Sequence, residues 1–110
     1  MTNIKINKKD DRVVIKAKGH ATGSKEVCSA ISTLIYSFEA WVANNPDCIK
    51  KHFCELDEGE AFISFIPVES ESYTALEFFV IGLVNLAKSY GEYMTVSVSS
   101  EISHLLRTRN

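Results

Sequence analysis

The chain predicts a two-layer α+β fold, with two helices packed on one face of a mainly antiparallel sheet in the order β-β-α-β-β-α-β. Three observations carry this. Short stretches alternate apolar and polar residues, two long stretches switch to a three-and-four apolar spacing, and no repeat, low-complexity tract or long linker interrupts the series. A length of 110 residues, 45% hydrophobic and 24% charged, supplies apolar surface for one core and not two. A single domain over residues 1–110 is expected, with residues 99–110 a tail that docks or frays.

The elements follow in order. Ile4 and Ile6 alternate with polar residues, and Val13, Ile15 and Ala17 do the same beyond Lys8-Lys9-Asp10-Asp11, which reads as a hairpin with one apolar face. From Val27 the period changes. Val27, Ile31, Leu34, Ile35, Phe38, Trp41 and Val42 share one face of a helix capped by Thr22 or Ser24 and stopped near Asn44-Asn45-Pro46. A third strand over residues 49–56 turns at Asp57-Glu58-Gly59 into a fourth over residues 61–66, ended by Pro67. Ser70 or Ser72 starts a second helix along Leu76, Phe79, Val80, Leu83, Leu86, Ala87 and Tyr90, with Gly91 placed to stop it. Met94, Val96 and Val98 form the last strand, and the tail beyond carries Ile102, Leu105 and Leu106.

Composition narrows the function classes. A net charge of -2 gives no general electrostatic reason to bind nucleic acid or an anionic membrane. Lys5, Lys8, Lys9, Lys16 and Lys18 read as the solvated face of the hairpin rather than as a ribosome- or RNA-facing patch. Cys28, Cys48 and Cys54 make an odd count with no signal-peptide pattern ahead of them, so reduced thiols and a cytoplasmic setting are expected. The apolar stretch over residues 76–87 contains Glu77 and Asn85 and is too short to span a bilayer.

The segment with chemical content is Gly19-His20-Ala21 followed by Val27-Cys28-Ser29-Ala30-Ile31-Ser32, which sets an imidazole and a thiol just before a helix. A helix N-terminus and a nearby imidazolium are the usual means of raising the thiolate fraction of a cysteine. Chain length permits the pair, since the seven intervening residues reach about 25 Å when extended. In the first helical turn, the backbone N–H groups of Cys28 and a neighbour are candidate donors to an oxyanion. Glu26 is the nearest acid by sequence to orient His20. Lys25 beside the thiol favours the thiolate, and Ser32 lies one helical turn beyond it.

At these segments the chain resembles the ribosomal-processing cysteine protease family of small bacterial proteins. A second match lies at Gly82-Leu83 through Ala87, Tyr90, Glu92-Tyr93 and Val96. The resemblance implies that His20 is the base and Cys28 the nucleophile, with Gly19 in the turn that aims the imidazole and Ser32 supporting. It further implies removal of an N-terminal extension from a ribosomal protein, and a homodimer. The chain departs from the family pattern in its short spacing between His20 and Cys28, and in carrying Lys25 three residues before the cysteine where the family has aspartate.

Other constellations weigh less. Cys48, His52 and Cys54 suggest zinc, but on one strand the two cysteines stand about 20 Å apart, so no metal site is expected. The acidic run Glu55, Asp57, Glu58 and Glu60 suits a basic peptide, although a solvated hairpin is the plainer reading. Tyr36, Trp41, Tyr73, Phe78 and Phe79 are more aromatics than a small one-sided core needs, which suits a dimer surface. The expectation is therefore a cofactor-free cytoplasmic cysteine endopeptidase acting on a ribosomal protein or a related one, a phage protein included, with no membrane or direct nucleic-acid partner. The alternative is a non-catalytic homodimeric module that binds a peptide or the ribosome.

Overall fold

The computed structural model describes residues 1–19 and 24–105. Its elements are β1 (Thr2–Lys9), β2 (Arg12–Lys18), α1 (Lys25–Asn44), a one-turn 3-10 helix (Pro46–Cys48), β3 (Ile49–Asp57), β4 (Glu60–Pro67), α2 (Ser70–Ser89), β5 (Met94–Val98) and α3 (Ser100–Leu105). The five strands form one sheet in the order β3-β4-β2-β1-β5. All pairs are antiparallel except β1 with β5. Helices and sheet make two layers, as the alternating periods require. The third helix is a departure from the expected pair: Ile102 is fully buried against the core, so the start of the tail docks, while residues 106–110 lie outside the described residues.

Strand periodicity determines the core face. Ile4 and Ile6 on β1, Val13 and Ile15 on β2, and Ile63 and Phe65 on β4 are all fully buried, and they meet as neighbours across the sheet. The helices cover this face. Val27, Ile31, Ile35, Phe38 and Val42 form the buried stripe of α1, and Leu76, Phe79, Val80 and Leu83 that of α2. Phe38 stacks on Phe79 with ring centroids 4.6 Å apart and lies 5.8 Å from Phe65, joining both helices to the sheet. Gly82 lets α2 approach Leu34 closely, because a methyl group there would come within 3.2 Å of the leucine side chain. No helix among the described residues is long and apolar enough to cross a membrane.

Two backbone features shape the sheet. The β3–β4 register shifts by one residue between Lys50 and Phe53, where Lys51 takes a φ of 50°. A slip of one residue reverses which side chains face the core. Ile49 is therefore buried before the bulge, and Cys54 and Leu56 pack against the core after it. Arg12 pins the bulge through Nη1, which donates to the Lys51 carbonyl at 2.9 Å and to Ser64 Oγ at 2.7 Å. At the other end of the sheet Gly19 has a φ of 101°, and a Cβ there would fall 2.3 Å from the Met1 carbonyl oxygen.

These positions yield a paired stability prediction. Gly19→Ala meets both a left-handed φ and a backbone clash, and should destabilise by about 2 kcal/mol or more. Lys51→Gly relieves a left-handed conformation, and should be neutral or stabilise by up to about 1 kcal/mol. Urea unfolding monitored by circular dichroism measures both; equal destabilisation by the two substitutions would contradict the backbone argument.

Candidate active site

Cys28 owes its position to the way α1 begins. Ser24 is the N-cap: its Oγ accepts from the Val27 N–H at 3.2 Å and its carbonyl accepts from the Cys28 N–H at 3.3 Å. This selects Ser24 over Thr22, which lies outside the described residues. It also corrects the expected oxyanion donors. The Cys28 N–H makes the first intrahelical bond and the Val27 N–H serves the cap, so neither points to substrate, and the first-turn donors ahead of them belong to Lys25 and Glu26.

From that start, Cys28 stands beside the buried Val27 at the edge of the apolar stripe. It is half-buried, packs against the core and lines a cleft of about 530 Å³. Ser32 and Tyr36 follow at one-turn intervals on the same wall, with Ile31 and Ile35 beneath them. The floor is the end of the sheet, where Ala17 pairs with Ala61. Two methyl groups at facing positions leave space under the helix that larger side chains fill elsewhere. The remaining wall is the β3–β4 turn, Leu56 through Ala61, held by the Gly19 N–H donating to the Gly59 carbonyl at 2.8 Å.

The expected site residues fall as follows. Gly19, Cys28 and Ser32 line this one cleft. Glu26 is exposed on the first turn, accepts a long 3.4 Å hydrogen bond from the Ser24 hydroxyl and does not line the cleft. His20 lies outside the described residues. Sequence reasoning did not place Tyr36 here, although its spacing of four and eight from Ser32 and Cys28 was the available signal. It also set aside Asp57, Glu58 and Glu60, which line the cleft because the hairpin folds back beneath the start of α1.

The other two thiols occupy different surroundings. Cys54 sits on β3, where burial and a hydrogen bond to the Glu39 carboxylate push its thiol up to about 11. Glu39 also receives His52 Nε2 at 2.8 Å, so a single carboxylate on α1 holds both β3 side chains. Cys48 lies apart on the 3-10 turn, where desolvation and the carboxylates of Glu71, Glu69 and Asp47 raise its thiol. No group of three or more metal-ligating side chains able to hold an ion occurs among the described residues.

A two-layer fold of this order is one found in cysteine proteases. Residues 1–95 match the cysteine protease Prp family, and the chain belongs to that family. Solved structures agree on the fold. The essential ribosomal processing protease Prp from S. aureus, in complex with a covalently linked product peptide, aligns with a TM-score of 0.70 at 16% identity, covering 90% of this chain and 100% of that one. Its complex with a substrate peptide gives 0.69 at 15% identity with the same coverage. SMU.848 from Streptococcus mutans gives 0.66 at 22% identity over 89% of this chain and 93% of that one. No curated protein matches the chain in sequence.

The thiol environments predict an order of reactivity. A thiol at about 11 rather than 9.0 holds about 100-fold less thiolate at pH 8, so Cys54 should alkylate that much more slowly than an unshifted cysteine. Glu39→Gln removes the carboxylate but not the burial, and should recover part of the rate. Iodoacetamide labelling followed by peptide mass mapping checks both; Cys54 labelling as fast in the folded as in the unfolded chain would contradict them.

Proposed function

We propose that this chain is a cysteine endopeptidase that removes an N-terminal extension from a ribosomal protein or a related one, a phage protein included, with Cys28 as nucleophile and His20 as general base and acid. The observation that carries the reading is a half-buried thiol on the wall of a cleft that Gly19, the residue before His20, also lines. Family membership sets the reaction class.

The chemistry then follows from the two groups. His20 takes the thiol proton, and the Cys28 sulfur attacks the scissile carbonyl carbon to form a carbon–sulfur bond. Collapse of the tetrahedral adduct breaks the carbon–nitrogen bond, and the imidazolium gives its proton to the departing amine. Water, deprotonated by His20, attacks the thioester and releases the acid product with the thiol restored. No cofactor enters. Gly19 aims the imidazole and Ser32 supports the cleft wall; Glu26 contributes to the helix start, where its charge suits the dipole.

The homodimer that the family resemblance implies is supported by a second, apolar groove of about 570 Å³ between α1 and α2. It is lined by Leu34, Phe38, Trp41, Ala75, Phe78 and Phe79, and Phe78 is 77% exposed. Reduced thiols and a cytoplasmic setting belong to the same reading.

Cleavage of a panel of N-terminal extension peptides, followed by mass spectrometry, tests the assignment. Cys28→Ala should abolish cutting with the fold kept, and His20→Ala should lower the rate by about 10²- to 10⁴-fold. A panel that stays intact together with an ordinary pH profile for Cys28 alkylation would favour the alternative, a non-catalytic homodimeric module that binds a peptide or the ribosome.

A further inference from the structure

Resting on the protease reading, we infer that Tyr36 is a specificity residue of the cleft, and that the subsite it forms with the β3–β4 turn takes a lysine or arginine side chain three or four residues from the scissile bond. Cys28, Ser32 and Tyr36 lie on one wall at successive turns of α1. Eight residues of helix advance about 12 Å, and an extended peptide advances about 3.3 Å per residue. A substrate laid along α1 with its scissile carbonyl at the sulfur therefore brings its third or fourth residue abreast of Tyr36.

The surroundings of Tyr36 define what that residue must be. Its ring is 56% exposed on a helix whose neighbouring stripe is buried, so it presents an aromatic surface to the cleft instead of packing into the core. Glu58, in the β3–β4 turn, lines the same cleft, and no lysine or arginine does so among the described lining residues; Asp57 pairs in register with Glu60, and Glu60 with Lys18, so their carboxylates lie on the outer face of the sheet with Lys16 and Lys18. Lys18 pairs with Glu60 at 3.8 Å on that outer face, which leaves Glu58 as the carboxylate of the turn available to the cleft. An aromatic face and the Glu58 carboxylate attract the same ligand chemistry, a cation on a long apolar stem. The turn is also held in place: the Gly19–Gly59 hydrogen bond ties its backbone to the end of β2.

The test moves a single lysine along an otherwise alanine-flanked cleavable peptide, on both sides of the scissile bond, and reads kcat/KM at each position. Lysine three or four residues away should exceed alanine by about five- to tenfold and exceed glutamate by more, with the advantage shrinking in high salt. Tyr36→Ala or Glu58→Gln should bring the lysine-to-alanine ratio toward one, and Tyr36→Phe should retain it. Cleavage that is blind to lysine position, or a ratio unmoved by Tyr36→Ala, overturns the inference while leaving the protease reading intact. Fluorescence anisotropy of the same labelled peptides on the Cys28→Ala protein decides the question if nothing is cut: tighter binding of the lysine peptide than of the glutamate peptide, lost in Tyr36→Ala, supports the subsite, and equal binding overturns it.

Discussion

The close approach at Gly19 is the constraint on which the cleft depends. With a φ of 101° and no Cβ, Gly19 lies against the Met1 carbonyl, where any side chain would collide with backbone. Its N–H reaches the Gly59 carbonyl and its own carbonyl accepts from Thr2 Oγ. One residue thus fastens the start of β1, the end of β2 and the β3–β4 turn into a common edge. Thr2, Gly19 and Gly59 all line the cleft, so its shape follows from that fastening. The chain leaves this edge directly into His20.

Helix α1 serves two faces at once because of its own geometry. A rotation of about 100° per residue places Val27, Ile31 and Ile35 in the core and, one residue on in each case, Cys28, Ser32 and Tyr36 on the cleft. The buried stripe holds the helix rigidly against the sheet, and the neighbouring stripe inherits that rigidity. A side chain on such an element is positioned more accurately than one on a loop. Ser24 completes the arrangement by capping the helix and bonding the Cys28 N–H, so the backbone around the sulfur is satisfied within the first turn.

The three cysteines illustrate how surroundings, rather than residue type, assign a role. Cys54 and His52 look toward α1 because the bulge at Lys51 reverses the facing of β3, and Glu39 meets both. A thiol that donates to a carboxylate and is partly desolvated is held protonated, which suits a structural part. Cys28 borders open space at a helix start instead. The cleft and the Glu39 cluster thus lie on one helix roughly three turns apart, one open to solvent and the other a polar clamp between helix and edge strand.

Local patterning alone determined the order of the five strands and two long helices and, outside β3, the faces they bury. Alternation of two marked the strands, a period near 3.6 marked both long helices, and Pro46 and Pro67 marked stops, since each reflects the geometry of a single segment. The His20–Cys28 segment and its family likeness were legible for the same reason, as contiguous residues. Tertiary structure alone decided that β4 lies beside β2, that β5 runs parallel to β1 and that Ile102 docks. It also decided that Tyr36 and the acidic turn share a cleft with the thiol. Periodicity reports which side of an element is buried and never against what; pairing between segments distant in the chain, one close approach at Gly19 and one extra residue at Lys51 supplied the answer.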